Sequence, residues 1–291
     1  MNKTAIMTDT NSGITPAEAK ELGIYTMPMP VLADAQTYYE GKDMDHAKLY
    51  AFMKEDRDLS TSQPSIGDVE EVWNKLLEEG YENILYVPMS SGLSGSCAAA
   101  TGFAAEFGGK VEVADVHRIS VTLRDAVLDA KYLADQGLSA AEIKAKLEEN
   151  AANSVVYLGV DTLKYFKKNG RATAAAVAIA TVLNLKPILI TEGGKFDTYA
   201  KVRGLKACKE RIIDALKKEL DTRFAGVPAS EIHLATASTL ETPEEAEAWR
   251  LMVQEAFPQF QVSYDPLSCS IACHTGMGAV GVGMSRVQRA E

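Results

Sequence analysis

Apolar residues in this chain come in short runs, separated by stretches in which they recur every three or four positions. "TAIMTD" (Thr4–Asp9) has the first pattern and predicts a strand. "TPAEAKELG" follows and predicts a helix, with Thr15 as N-cap, Pro16 at the first helical position and Glu18 closing a capping box. "IYTMPMPVL" is extended. Helices are then expected over "DHAKLYAFMKE", capped by Asp45, and over "IGDVEEVWNKLLEEG", capped by Ser65. The strand "NILYVP" leads into the helix "CAAATGFAAEF", and the strand "KVEVADV" leads into two helices, the second opened by Ser139 with Glu142. The cycle resumes at "SVVYLGV" and continues through "TLKYFKKNGR" and an alanine-rich helix. A hairpin "KPILITEGGKFDTYAKV" turns at Gly193-Gly194, and a long helix starts near Gly204. "EIHLATA", a helix opened by Thr242-Pro243, "QFQVSYD" and "AVGVGMS" complete the chain.

Strands alternating with helices predict an α/β protein whose mostly parallel sheets are covered on both faces. Its 291 residues suit two domains. The polar run "LEENAANS" near residue 150 is the best boundary, giving α/β domains at 1–153 and 154–291.

Charge narrows the partners. A net charge of -10 argues against nucleic acid, which needs a basic face. Ala172–Leu183, "ATAAAVAIATVL", is the longest apolar stretch, and it is short of the ~20 residues of a membrane span. The opening "MNKTAIMTDT" turns polar too early for a signal peptide. Cys97, Cys208, Cys269 and Cys273 form no disulfide framework. The expectation is a cytoplasmic protein with no stable membrane insertion.

The candidate chemistry lies in uncharged loops. "SSGLSGS" (Ser90–Ser96) follows a strand and precedes a helix, where ligands of open α/β folds bind and where helix N–H groups attract anions. "STSQPS" (Ser60–Ser65) and "TDTNS" (Thr8–Ser12) are similar, and Asp9 in the latter is placed to orient a neighbouring amide or hydroxyl. His274 stands in "CHTGMGAVG", a formal G-x-G-x-x-G match with too few residues after it for a dinucleotide site. Cys269, Cys273 and His274 lack the spacing and fourth ligand of a zinc site. "KYFKKNGR" reads either as a solvated basic helix end or, with Arg171 following Gly170 at its break, as a segment that turns Arg171 to a pocket or a partner protein. These loops admit two readings: an anion-binding site, or a serine hydrolase using Ser94, Asp115 or Asp161, and His274. The elbow G-x-S-x-G is imperfect, because Ser96 stands where its second glycine belongs.

"MTDTNSG", "TSQPS", "SSGLSGS", "KKNGR", "KPIL", "KVRG" and "HTGMGAVG" occur in this order along the whole chain, which thereby resembles the DegV family. The resemblance implies two α/β domains with a lipid tunnel between them. It also implies a bound long-chain fatty acid as ligand, with no other cofactor and no catalysis of the protein's own. The fatty acid would be presented to the catalytic subunit of a fatty acid kinase, which makes the acyl phosphate. Thr61, Ser62, Ser94, the Gly95 amide, His274 and Thr275 would surround the carboxylate, and Arg171 and Arg203 would lie at the headgroup mouth or the kinase-docking surface. Here Thr10, Ser96-Cys97, Asn169 and Met277 depart from the usual family residues, and these departures leave the hydrogen-bond donors in place.

Overall fold

The computed structural model describes residues 3–178 and 185–289. Its first half runs β1 (Thr4–Asp9), α1 (Pro16–Leu22), β2 (Ile24–Met27), β3 (Pro30–Ala33), β4 (Gln36–Tyr39), α2 (His46–Lys54), β5 (Leu59–Thr61) and α3 (Ile66–Glu78). It continues with β6 (Asn83–Val87), α4 (Ser96–Ala104), β7 (Val111–Val113), α5 (Val121–Asp135) and α6 (Ala140–Glu149). Helix starts follow local chemistry: the side chains of Thr15, Asp45, Ser65 and Ser139 each accept a hydrogen bond from the N–H three residues on. At Ser139 the capping box closes through Glu142. At Thr15 it does not, because Glu18 turns instead to the Arg124 guanidinium of α5.

Strands β2–β1–β6–β7 form a four-stranded sheet with every pair parallel. A separate antiparallel sheet, β4–β3–β5, is small. The second half runs β8 (Ser154–Gly159), α7 (Lys164–Asn169), α8 (Ala174–Val177), β9 (Leu185–Thr191), β10 (Asp197–Arg203) and α9 (Leu205–Asp221). It ends with β11 (Ile232–Ser238), α10 (Pro243–Ala256), β12 (Val262–Pro266), α11 (Cys269–Thr275) and β13 (Val280–Arg286). Of the alanine-rich helix expected over 172–183, α8 is the described part, and residues 179–183 lie outside the described residues.

The α/β class holds, but the second sheet corrects the expected strand directions. In its order β10–β9–β8–β13–β11–β12, only β11 and β12 pair in parallel. Three local features cause this. The β9–β10 hairpin makes one antiparallel pair, β9 runs back against β8, and the last strand, β13, enters between β8 and β11 against both. Antiparallel neighbours need no long crossover, so alternation of strands and helices did not guarantee a parallel sheet.

The two large sheets fall on opposite sides of residue 153, yet one hydrophobic cluster crosses that point. Ile6, Leu85, Leu123 and Val127 pack in it with Leu158 and Ala235. Helix α5 lies between the sheets, against β1 on one side and β8, β11 and β13 on the other. Gly283 on β13 permits the approach: a Cβ there would strike the side chains of Val121 and Thr122 on α5. A further cluster joins the small sheet (Val31, Leu59) to α2 (Leu49) and α11 (Ala272, Cys273). This last contact brings β5 and α11 together.

Candidate functional site

Two segments meet at the site from far apart in the chain. Thr61 ends β5, held in register opposite Val31, and the next amide, Ser62 N–H, donates to Pro30 O at 3.3 Å. His274 stands near the end of α11, a short helix opened by Ser268, whose hydroxyl accepts from Ile271 N–H at 3.3 Å. It stops at Gly276, which takes φ +75°. Helical spacing puts Ser270 and Ile271 on the same side as His274 and Thr275, and all four line one cavity. Across it, Thr61 Oγ1 lies 2.9 Å from His274 Nε2.

The third wall is the serine loop. Ser94 N–H donates to Ser90 O at 3.1 Å, closing a turn directly after β6. The Ser90 hydroxyl donates to Gly193 O in the β9–β10 turn. Gly92 must be glycine in this packing, since a Cβ would run into that same carbonyl. The loop is thereby pinned to the second half of the chain. Ser94 Oγ is 2.9 Å from Ser96 Oγ and accepts from Ser96 N–H.

Thr61, Ser62, Ser94, Arg171, His274 and Thr275 all line the cavity, together with Met29, Met89, Leu93, Ile119, Phe166, Phe196, Ser270 and Ile271. Phe166 and Phe196 form an edge-to-face pair with centroids 5.5 Å apart. Residues on both sides of 153 contribute. The cavity holds about 480 Å³ of empty space, part of it open to solvent. Apolar side chains share the lining with the hydroxyls of Thr61, Ser62, Ser94, Ser270 and Thr275, the His274 ring and Arg171. Two of the expected residues lie outside this lining. Gly95 is exposed just before α4, its carbonyl accepting from Ala99 N–H. Arg203 is exposed at the end of β10, opposite Leu185.

The electrostatics favour a neutral imidazole. Burial, with the Arg171 guanidinium adding to it, pushes His274 down to about 3. Its Nδ1 is buried with no hydrogen-bond partner. If Nε2 accepts from Thr61, the N–H on Nδ1 is unspent. If Nε2–H donates to Thr61, the threonine hydrogen is unspent. Either tautomer leaves a donor here. Arg171 Nε donates to Leu93 O at 3.3 Å and Nη1 to Asn169 O, which fixes the guanidinium against the serine loop.

The hydrolase arrangement is not assembled. Ser94 Oγ contacts Ser96 while His274 contacts Thr61. Asp161 pairs with Lys186 at 2.5 Å, and Asp115 accepts from the backbone of Ser91 and His117. The four cysteines are free and buried, and burial first, then the Glu40 charge, raises Cys273 to about 12. Among the described residues no group of three or more His, Cys, Asp or Glu side chains is placed to hold a metal ion. Among the described residues no helix is long and apolar enough to cross a membrane.

Sequence reasoning missed α11 and with it Ser270 and Ile271. The signal was present in Ser268 as N-cap and in the four-residue spacing from Ser270-Ile271 to His274-Thr275. Asp9 does orient amides, accepting from Asn11 N–H and Met89 N–H at 2.9 Å each.

A two-sheet α/β protein with a cavity lined by apolar side chains, hydroxyls and a neutral imidazole is built to hold an amphipathic molecule. The model of the DegV family, described as uncharacterised proteins, matches residues 3–287, and the chain belongs to that family. A DegV domain-containing protein of Deinococcus radiodurans is 30% identical over 96% of this chain and 97% of its own. A DegV family protein of Thermus thermophilus, solved in a study of its fatty acid binding, is 27% identical with a TM-score of 0.87, covering 98% of this chain and 100% of its own. A stearic acid-binding protein of Eubacterium ventriosum shares the fold at 21% identity and a TM-score of 0.85, covering 98% of each chain.

Proposed function

We propose that this protein binds a long-chain fatty acid without reacting with it, in a cavity between α/β domains at 1–153 and 154–291. It then presents the carboxylate to the catalytic subunit of a fatty acid kinase in the cytoplasm, for acyl phosphate formation. Thr61, Ser62, Ser94, His274 and Thr275, which line the cavity, receive the carboxylate, with the exposed Gly95 amide at its outer edge. Arg171 stands at the headgroup, and the exposed Arg203 belongs to the docking surface. One observation carries the reading: Thr61 and His274 meet at 2.9 Å in a cavity also lined by Met29, Met89, Leu93, Ile119, Phe166 and Phe196, leaving a donor unspent.

Hydroxyls, an amide and a neutral ring suit a carboxylate that must later leave, because each neutral donor contributes modestly while the tail supplies the affinity. Burial of each CH₂ is worth about 0.8 kcal/mol, so a long tail gains on the order of 10 kcal/mol before the costs of association. The fatty acids bound by the Thermus and Eubacterium proteins support this reading.

Mass spectrometry of an organic extract of the purified protein tests it. The expected result is one predominant long-chain fatty acid at near-stoichiometric amount, and a higher melting temperature when that acid is added back to stripped protein. Extracts without lipid, together with a melting temperature indifferent to fatty acids, overturn it.

A further inference from the structure

The lining of the cavity comes from separate segments, and α11 supplies Ser270, Ile271, His274 and Thr275. The amides of a helix's first turn have no intrahelical partner. In α11 side chains take all three. The Ser268 hydroxyl accepts from Ile271 N–H at 3.3 Å. The Glu40 carboxylate accepts from Cys269 N–H at 2.5 Å and from Ser270 N–H at 3.5 Å. Glu40 reaches them from the other half of the chain, just after β4.

The same residue holds a second part of the lining. The Thr10 hydroxyl donates to Glu40 at 2.8 Å, and Thr10 Oγ1 accepts from Met29 N–H at 3.1 Å. The Glu40 N–H donates to Met29 O at 3.1 Å. Met29 lines the cavity, whereas Glu40 does not. Glu40 is buried, and among the described residues no lysine or arginine pairs with it. A buried carboxylate is costly unless it is hydrogen-bonded. Here its bonds are spent on α11 and on the segment that carries Met29. Helix α11 has only seven residues, so a shift at its start is carried to His274 near its end, where the ring meets Thr61 at 2.9 Å. Burial and the Arg171 guanidinium set the ionisation of that ring, so Glu40 acts on it through the placement of α11 rather than through its own charge.

We propose, resting on the fatty-acid reading above, that Glu40 is a positioning residue for the headgroup. It touches no part of the ligand. It fixes the start of α11 against the first half of the chain, and thereby sets where His274 and Thr275 stand relative to Thr61 and the carboxylate.

The test compares Glu40→Gln with the wild-type protein, both stripped of lipid. Glutamine keeps the size of the side chain, but its NH₂ replaces one of the two accepting oxygens, so either Cys269 N–H or Ser270 N–H loses its acceptor. Two ligands with the same tail are titrated, hexadecanoic acid and hexadecan-1-ol. The acid should bind Glu40→Gln about tenfold more weakly, the size of one misplaced hydrogen bond to a charged group. The alcohol should change less than about twofold, since tail burial is untouched. The His274 ring signals in the NMR spectrum should move. A residue that merely supports the fold would weaken both ligands alike. Equal loss of both ligands, unchanged binding of the acid, or His274 signals that stay in place would overturn the inference. If Glu40→Gln fails to fold, Glu40→Asp decides by the same criteria, because it keeps the charge and draws it back from α11 by one methylene. A wild-type preference for the acid that survives in the variant removes only this inference. A wild-type protein that binds neither ligand removes the fatty-acid reading as well.

Discussion

Asp125 is buried and His274 is half-buried with its Nδ1 out of reach of solvent; both join distant parts of the chain, and their surroundings are finished in opposite ways. Asp125, on α5, accepts from His233 Nδ1 at 2.7 Å, from Arg289 Nη2 at 2.9 Å and from the Ser285 hydroxyl. One turn on, Asp129 takes Arg289 Nη1 at 2.9 Å and Gln288 N–H at 2.9 Å. Burial alone would raise the Asp125 carboxyl, but His233 and Arg289 outweigh it and take the group down to about 2. The network is saturated, and it ties the end of the chain to the helix between the sheets. His274 has one partner, a buried unpaired nitrogen and a cavity beside it. A paired network of this kind holds a fold, whereas the underpaired His274 is the group proposed above to meet a ligand.

Breaking the saturated side gives the largest effect. Asp125→Ala takes the carboxylate from His233 and leaves Arg289 only its Asp129 partner, and the expected cost is about 3–5 kcal/mol of stability in urea denaturation. Fatty-acid affinity of the molecules still folded should change little. Equal loss of affinity and stability would erase the distinction between the two regions.

Breaking the underpaired side should do the reverse. Thr61→Ala and His274→Ala are each expected to weaken fatty-acid binding by about 1–3 kcal/mol, read by calorimetry, because a buried carboxylate is left short of a donor. Tail burial persists, so binding weakens without vanishing. Kinase-dependent acyl phosphate formation should fall further, since transfer needs the carboxylate held in position.

Acid separates the groups by sign. His274 has its folded value near 3 and an ordinary value of 6.5, so the unfolded chain takes up the proton first. Its contribution to stability is present above pH 6.5 and is lost as the pH falls towards 3. Asp9 runs the other way: burial raises it from 3.8 to about 6, so its contribution is full below 3.8 and is lost as the pH rises through 6. Urea denaturation at stepped pH should show His274→Gln losing less stability than wild type on acidification below 6.5.

The smallest expected effect on lipid is that of Arg203→Ala. The side chain is exposed at the end of β10, away from the cavity. Lipid affinity should be unchanged while turnover with the kinase drops. A matching loss of lipid affinity would move Arg203 into the binding site.

Much of the fold was legible because helix starts are local chemistry: Thr15, Asp45, Ser65, Ser139 and Thr242 each cap as their spacing predicts. Helix α11 showed in the sequence only through its Ser268 cap and one four-residue spacing. Nearly all of "CSIACHT" is buried, so it has no polar face to give a period. Strand β5 was hidden by its hydroxyls, since Ser60 and Thr61 resemble a loop while pairing with Leu32 and Val31. Strand direction in the second sheet depended on where β13 inserts, which no local pattern encodes. At the site, the hydroxyl clusters gave away the polar part of the lining. The apolar part drew single residues such as Met29, Met89 and Ile119 from separate loops, each indistinguishable in sequence from ordinary core.

The central claim, that the cavity receives a carboxylate at His274, is tested most directly by NMR titration of the His274 ring with and without hexadecanoic acid. The chain has four histidines, so the ring signals are few enough to assign. In the stripped protein the ring should stay neutral well below pH 6.5, with its value near 3. Added fatty acid should shift its resonances and raise its pKa, because a carboxylate beside it favours the proton. A ring that titrates near 6.5 and ignores saturating fatty acid would contradict the account.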